Sequence, residues 1–272
     1  MVVGQLNKIL ICTFLIIFLN QNLFGLEFKG KFEQGSFILG KTNPNSEVTI
    51  DNRKIKVSKD GFFAFGLSRE RKNNVIIKVI KDNKLEVYEK KVFKRKYKIQ
   101  RIDGLPEKKV TPPKEVYERI KRENKIIGIA RSIDSDLPFF KDKFINPLDK
   151  AIVTGVYGSQ RILNGKPKWP HYGIDFAAKE GTKIKAMLDG TATMVEPDLF
   201  YTGGTLIFDH GHGVSTLYMH MKDIYVKKGQ EIKQGDIIGT VGSTGRSTGP
   251  HLDVRLNWFN VRLDPATVLN IR

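Results

Sequence analysis

The chain has 272 residues, enough for one large domain or two ordinary ones. Hydrophobic residues make up 40% of it and aromatic residues 10%, so it can bury hydrophobic cores, which excludes a disordered protein. The formal net charge of +17 comes from 46 Lys and Arg against 29 Asp and Glu, and it favours an anionic partner: a nucleic acid, an anionic membrane surface or an acidic polymer.

The N-terminus has the pattern of an export signal. Lys8 is the only charged residue before Glu27, and residues 9–19 form an apolar run. This run is shorter than the roughly 20 apolar residues that span a bilayer, but it suits the hydrophobic region of a secretory signal. We therefore predict a signal peptide over residues 1–25 and an exported protein of the periplasm or cell envelope, which argues against a nucleic-acid partner. Because no A-x-A-like cleavage site is present, an uncleaved membrane tether is the alternative.

Cysteine usage agrees with this interpretation. The single cysteine, Cys12, lies inside the apolar run. If the signal is removed, the mature chain contains no thiol, which excludes disulfides and cysteine metal ligands.

Residues 27–98 are predicted to form a small antiparallel β-sandwich. Segments rich in β-branched and aromatic residues alternate with turn signals such as Asn43-Pro44-Asn45 and Asp60-Gly61. The predicted strands are 36–39, 47–50, 55–57, 62–65, 75–80 and 85–92.

Residues 99–148 are predicted to be a basic linker with one helix. The stretch 94–113 is basic and contains prolines, as a linker or an ordered arm would. Thr111 is a candidate cap, and Pro112 and Pro113 open a helix that we predict to run to about Arg131. Its apolar residues recur at helical spacing, which favours an amphipathic helix packed on a domain; they are Val116, Ile120, Ile127 and Ala130.

Residues 149–272 return to a β pattern and are dense in glycine, as expected for strands joined by tight turns. We predict a compact all-β domain here, so the chain as a whole is mainly β. The predicted strands are 153–157, 174–177, 183–187, 190–195, 205–209, 215–219, 237–241 and 251–257.

All five histidines of the chain lie in this C-terminal part: His171, His210, His212, His220 and His251. Two fragments stand out, H-x-x-x-D at 171–175 and H-x-D at 251–253. Residues i, i+2 and i+4 of an extended segment project from one face, so two neighbouring strands would bring all four side chains together. Three protein ligands and a water form the usual catalytic zinc site. Any one of these residues alone fits a surface or hydrogen-bonded role equally well.

Residues 149–268 resemble the lysostaphin/LytM-type metalloendopeptidases in three motifs that occur in the family's order. Residues 171–178 (HYGIDFAA), with Gly181-Thr182 and Asp189-Gly190, resemble the first motif. Residues 203–220 (GGTLIFDHGHGVSTLYMH) resemble the middle strand pair, which ends in Y-x-H. Residues 235–253 (GDIIGTVGSTGRSTGPHLD) resemble the closing motif, commonly G-x-T-G-x-S-T-G-P-H-L-H. The resemblance implies an all-β metallopeptidase domain.

The resemblance also implies roles for single residues. His171, Asp175 and Asp253 would be the metal ligands, whereas His220 and His251 would be catalytic histidines that flank the metal-bound water and the scissile carbonyl. His210 and His212 have no counterpart, and the turn at 209–213 is interpreted as structural.

Position 253 departs from the family pattern, in which the third ligand is histidine. A subset that resembles this chain also reads H-L-D followed by Arg and N-W-F, as in Asp253, Arg255 and 257–259. Carboxylate oxygen is an accepted zinc ligand. Two carboxylates and one imidazole form a harder site, so Zn²⁺ is expected, with Mn²⁺ or Fe²⁺ as alternatives.

The function implied is that of an exported zinc metalloendopeptidase that hydrolyses stem or bridge peptides of bacterial peptidoglycan. The positive charge would attract an acidic wall or membrane surface. The alternative is a catalytically inactive wall-binding module that regulates another hydrolase, motivated by the altered position 253. Tyr172, Phe200, Tyr201 and Trp258 are candidates to line the groove, and each fits a packing role equally well. If segment 94–113 and the following helix cover that groove, a chain that starts near Ser132 would cleave faster.

Overall fold

The computed structural model describes residues 25–104, 107–150 and 152–269. The predicted signal peptide, apart from Gly25, lies outside these ranges. Within them, no helix combines the length and the apolar character that crossing a membrane requires.

The described chain is mainly β, which confirms the predicted fold class. The strands in chain order are β1 (Glu27–Lys29), β2 (Phe37–Lys41), β3 (Glu47–Ile50), β4 (Arg53–Ile55), β5 (Phe62–Gly66), β6 (Val75–Lys81), β7 (Lys84–Lys90), β8 (Ile99–Ile102), β9 (Ile152–Gly155), β10 (Gln160–Leu163), β11 (Lys166–Pro167), β12 (Ile174–Ala177), β13 (Lys183–Lys185), β14 (Gly190–Leu199), β15 (Gly203–Asp209), β16 (Val214–Ile224), β17 (Glu231–Ile232), β18 (Ile237–Val241), β19 (His251–Trp258) and β20 (Val261–Leu263). The α-helices are α1 (Glu107–Val110), α2 (Tyr117–Arg131) and α3 (Ala266–Leu269).

The N-terminal strands form two antiparallel sheets, β1-β2-β5 and β4-β3-β6-β7. Burial alternates along strand β6: Val75, Ile77 and Val79 are buried, and the residues between them are only partly buried, as period 2 requires. The β6–β7 hairpin turns through Asp82 and Asn83, both with positive φ, a conformation that short polar side chains tolerate.

The buried core continues from these sheets into the C-terminal part. Phe63 and Phe65 belong to the same hydrophobic cluster as Leu263 of β20. Arg69 Nε also donates a 2.9 Å hydrogen bond to the Gly158 carbonyl. The boundaries at 98 and 148 therefore stay predictions.

Segment 94–113 contains strand β8, which was not predicted from the sequence. Strand β8 pairs in parallel with β10 and, with β11, forms a three-stranded sheet. Helix α2 starts at Tyr117, after a 3₁₀ turn at Lys114–Val116. The prediction of Thr111 as its cap is wrong, because Val116 occupies the N-cap and no side chain caps it.

Helix α2 packs on β14 and β15, as the amphipathic pattern predicted. Ala130, Ile126 and Ile127 contact a small apolar cluster on these strands and on β16, formed by Met194, Leu199, Ile207 and Leu217. Glu123 Oε2 accepts a 2.8 Å hydrogen bond from the Phe200 amide. The helix therefore supports the turn between β14 and β15.

The C-terminal strands form one large sheet in the order β17-β14-β15-β16-β19-β12-β9, with β18 paired to β16 and β13, and β20 paired to β19. The predicted bounds of β12 and β18 agree with the structure. Strands β12 and β19 are antiparallel neighbours, and their register places Asp175 directly opposite Asp253. This pairing brings the first and last sequence motifs together.

Candidate active site

Three predicted ligands converge at the junction of β12 and β19. His171 lies just before β12, whereas Asp175 and Asp253 lie within the two strands. His171 Nε2 is 3.1 Å from Asp175 Oδ1 and 3.3 Å from Asp253 Oδ2, and one ligand atom from each residue lies within 4.8 Å of the others. His171 and Asp253 are almost completely buried. The structure thus assembles a His–Asp–Asp cluster that could hold one metal ion.

The donor set fits a cation. Asp175 Oδ1 is buried and accepts no hydrogen bond from any described residue, although His171 Nε2 lies 3.1 Å away. A buried, unsatisfied carboxylate oxygen is costly unless a cation neutralises it. Imidazole and carboxylate are both accepted zinc ligands, and the second carboxylate also suits Mn²⁺ or Fe²⁺.

Backbone contacts fix the position of His171. Its amide donates to the Ser159 carbonyl at 2.8 Å, and its carbonyl accepts from the Gly158 amide at 2.7 Å. Burial lowers the pKa of the imidazole, but the facing carboxylates of Asp253 and Asp175 raise it above its ordinary value overall. A proton and a metal ion would therefore compete for His171 Nε2.

Two glycines leave room for the two carboxylates. A Cβ on Gly173 would lie 2.2 Å from Asp253 Oδ1, and a Cβ on Gly155 would lie 2.1 Å from Asp175 Oδ2. Real Cβ atoms are essentially never closer than 3.0 Å to such atoms. Glycine at both positions is therefore a steric requirement of the cluster.

His220 and His251 lie side by side next to these ligands, with ring centroids 4.6 Å apart. His220 Nδ1 is 2.8 Å from the Thr244 carbonyl, and His251 Nδ1 is 2.8 Å from the Gly249 carbonyl. Because a carbonyl only accepts, each Nδ1 must donate, and each neutral ring keeps its lone pair on Nε2. Burial lowers the pKa of His220 to about 4, so His220 is neutral at pH 7.

The local backbone accounts for the placement of His220. It has a positive φ of 61° in strand β16, where the register with β15 shifts. Its amide donates to the Thr202 carbonyl at 2.8 Å, in the turn between β14 and β15. This irregular strand geometry is not visible in the sequence, although the Y-x-H motif marks its position.

Three arginines lie around the cluster, and sequence reasoning assigned none of them a role. Arg255 contacts Asp253, with Nε 3.3 Å from Oδ1 and Nη2 3.0 Å from Oδ2. Arg161 Nη2 is 3.6 Å from Asp175 Oδ2. Arg246 stacks on Tyr201, with the guanidinium carbon 4.3 Å from the ring centroid. Residues Asp253 and Arg255 are two apart on β19, which is the one signal that could have linked this pair from sequence.

Two of the three ligands, Asp175 and Asp253, and both histidines line a groove of about 320 Å³. Gln100 and Ile102 of β8 and Arg161 of β10 line it, so β8 borders the groove, whereas α2 lies against β14 and β15. The full lining is Gln100, Ile102, Thr154, Arg161, Leu163, Asp175, Ala177, His220, Arg246, Ser247, Thr248, Gly249, Pro250, His251 and Asp253.

The four aromatic residues predicted to line the groove are not among its lining residues. Tyr172 and Trp258 are buried, Tyr172 against Arg262 and Trp258 against Phe259. Tyr201 reaches the groove only through its stacking on Arg246, and Phe200 packs edge-to-face on Tyr201. Aromatic character alone does not distinguish a packing residue from a groove residue.

His210 and His212 lie away from the ligand cluster, as the structural interpretation expected. The ring of His210 is fully buried between the Asp189 carbonyl, 2.7 Å from Nδ1, and Thr216 Oγ1, 2.8 Å from Nε2. His212 stacks on Phe140 with centroids 4.2 Å apart.

Comparison with known proteins relates this part of the chain to a peptidase family. Residues 169–265 match the model of Peptidase family M23. The chain is 42% identical over 87 residues to the peptidoglycan DD-endopeptidase ShyA of Vibrio cholerae, covering 32% of this chain and 20% of that protein. It is 44% identical over 98 residues to the DD-carboxypeptidase/endopeptidase Mpg of Neisseria meningitidis serogroup B, covering 36% of this chain and 22% of that protein. The chain thus spans about a fifth of the length of these relatives.

A solved structure extends the likeness to the whole fold. A putative peptidase M23 from Pseudomonas aeruginosa superposes with a TM-score of 0.70 at 24% identity, covering 88% of this chain and 95% of that one. This match concerns the fold alone. Together with the family match, it confirms the resemblance of residues 149–268 to the lysostaphin/LytM-type peptidases.

Proposed function

We propose that this chain, which carries a domain of Peptidase family M23 at residues 169–265, is an exported metal-dependent endopeptidase that hydrolyses peptide bonds of bacterial peptidoglycan. One observation carries the proposal: three ligand atoms within 4.8 Å of one another lie beside two histidines whose Nε2 lone pairs are free for proton transfer. Asp175, Asp253 and both histidines line the same groove. Neither feature alone would indicate hydrolysis.

The metal would be held by His171, Asp175 and Asp253. Zn²⁺ is the ion we propose, with Mn²⁺ or Fe²⁺ as alternatives for the more anionic donor set. When bound, the ion would supply Lewis-acid polarisation of the substrate carbonyl and a lowered pKa for the attacking water.

His220 and His251 would move the protons. With Nδ1 donating to a backbone carbonyl, each neutral ring offers Nε2 as an acceptor for the proton of the attacking water. Once protonated, the same Nε2–H can donate to the tetrahedral oxyanion or to the leaving amine. Burial keeps His220 neutral before the reaction, which reserves its Nε2 for this acceptor role.

The proposed substrate is the stem or bridge peptide of peptidoglycan. Support comes from the names of the relatives, a DD-endopeptidase and a DD-carboxypeptidase/endopeptidase. The net charge of +17 would favour encounter with an acidic wall or membrane surface. Export to the periplasm or cell envelope, with a cleaved or tethering N-terminal segment, is part of the proposal.

The test is digestion of isolated peptidoglycan by the purified chain, with its metal content measured in parallel. We expect bound metal and released peptide-containing fragments for the wild type, and loss of both for His171→Ala. The matched control is His212→Ala, which removes a histidine that touches no ligand. A wild type without metal that releases nothing would refute the proposal, and binding of peptidoglycan without cleavage would instead favour the non-catalytic module.

A further inference from the structure

Arg255 holds Asp253 by both of its oxygens. Asp253 and Arg255 are two residues apart on β19, so their side chains project from the same face of the sheet. The guanidinium approaches Oδ1 through Nε at 3.3 Å and Oδ2 through Nη2 at 3.0 Å. Asp253 is therefore a buried carboxylate with a fixed positive partner.

The charge of the ligand set explains why such a partner is useful. Catalytic zinc sites built from nitrogen and oxygen ligands commonly combine three histidines, or two histidines and one carboxylate, and so carry a ligand charge of about 0 or −1. One histidine with Asp175 and Asp253 carries −2. The guanidinium of Arg255 brings the total to −1. The neighbouring Arg161 lies farther from its carboxylate than Arg255 does, with Nη2 3.6 Å from Asp175 Oδ2.

We propose that Arg255 is the counter-charge of the third ligand, so that Asp253 and Arg255 together act as one neutral ligand unit. Arg255 acts through Asp253 and is a positioning residue. This inference rests on the proposed metal site, since it takes Asp253 to be a ligand.

Charge balance predicts opposite effects on metal binding and on catalysis when Arg255 is neutralised. Two uncompensated carboxylates attract a divalent cation more strongly, but they also neutralise it and weaken its polarisation of the substrate. A merely structural Arg255 would behave differently. Loss of a residue that only orients a ligand weakens metal binding, typically by about 10- to 100-fold.

The test compares the Zn²⁺ affinity of full-chain variants by competition with a chromophoric chelator at fixed pH and salt. We expect Arg255→Gln to bind Zn²⁺ about tenfold more tightly and Asp253→His to bind it about tenfold more weakly. The double variant should return to within about threefold of the wild type, because its ligand charge is again −1. The kcat of Arg255→Gln on peptidoglycan should fall even though its metal affinity rises.

Arg255→Lys separates charge from geometry, because lysine keeps the positive charge but loses the guanidinium fork. It should bind Zn²⁺ within about threefold of the wild type, and it decides the question even if Arg255→Gln does not fold. Arg71→Gln is the control, since it removes a guanidinium that holds a carboxylate outside the ligand cluster by both oxygens, that of Asp51.

Weaker Zn²⁺ binding by both Arg255→Gln and Arg255→Lys would overturn the inference and assign Arg255 a structural role. The failure of the proposed function looks different. In that case, the wild type itself would bind no metal.

Discussion

Substitution of Gly173 by alanine should displace one ligand while leaving the fold intact. Gly173 lies between His171 and Asp175 in the first motif and has no positive φ, so alanine can adopt its backbone conformation. The new Cβ would lie 2.2 Å from Asp253 Oδ1 and 2.7 Å from the Val254 carbonyl oxygen. A shift of the Asp253 carboxylate relieves the first contact, whereas the second requires a small shift of the Gly173 backbone, which lies just before strand β12.

The geometry sets the size of the effect. To reach the 3.0 Å below which Cβ contacts are essentially never seen, Asp253 Oδ1 must shift by about 1 Å. A misplacement of this size costs about 100-fold in rate, and loss of ligand alignment about 10- to 100-fold in metal affinity. We therefore expect Gly173→Ala to lose about 100-fold in kcat/KM on peptidoglycan and to bind Zn²⁺ at least about tenfold more weakly.

The assays are chelator competition for Zn²⁺ and release of peptide fragments from peptidoglycan, with thermal unfolding to verify the fold. Gly128→Ala is the matched control: the same atom is added in helix α2, where nothing lies within 4 Å. Wild-type metal affinity in a folded Gly173→Ala protein would refute the reasoning, because Asp253 would then not need its present position.

Three further predictions concern stability, catalysis and the flanking segment. Burial lowers the pKa of His210 from 6.5 to about 4. Between these pH values the unfolded chain therefore binds a proton at His210 that the folded chain does not bind. The free energy of unfolding should fall by about 3 kcal/mol as the pH falls from 6.5 to 4. Denaturant titrations should show that His210→Gln loses less free energy of unfolding over this pH range than the wild type. Equal pH dependence of the two proteins would contradict this prediction. His220→Ala should retain Zn²⁺, measured by chelator competition, but lose about 100-fold or more in kcat; loss of the metal would make His220 a ligand instead. A chain that starts at Ser132 lacks strands β1–β8 and helices α1 and α2, and with them part of the shared hydrophobic core, so it should melt at a lower temperature and cleave more slowly. Faster cleavage would support a covering role for residues 94–131.

The sequence predicted the parts of the fold that depend on local pattern. The bounds of β12 and β18 follow from short runs of apolar residues between turns, and the spacing of histidine and aspartate in two motifs indicated the cluster. The spacing predicted only that the two strands would lie side by side, and the antiparallel register that sets Asp175 opposite Asp253 comes from the structure. Register depends on long-range pairing, which no single segment encodes.

Other parts could not be predicted, for the same reason. Strand β8 lies in a basic, proline-containing segment and pairs with β10 about 60 residues further along the chain, so only the tertiary structure makes it a strand. The arginines around the ligands look like ordinary surface charges in a chain with 46 Lys and Arg. The predicted aromatic lining was wrong because Tyr172 and Trp258 are buried in packing contacts.

The central claim is that His171, Asp175 and Asp253 together bind one metal ion. Diffraction data collected at the zinc absorption edge, from crystals grown with Zn²⁺, test it directly. We predict one anomalous peak at about 2.0–2.2 Å from His171 Nε2 and from one oxygen of each aspartate. The account would be contradicted if no peak appeared at this cluster. It would also be contradicted by a metal ion held by His171 and Asp175 alone, with Asp253 contacting Arg255 and not the metal.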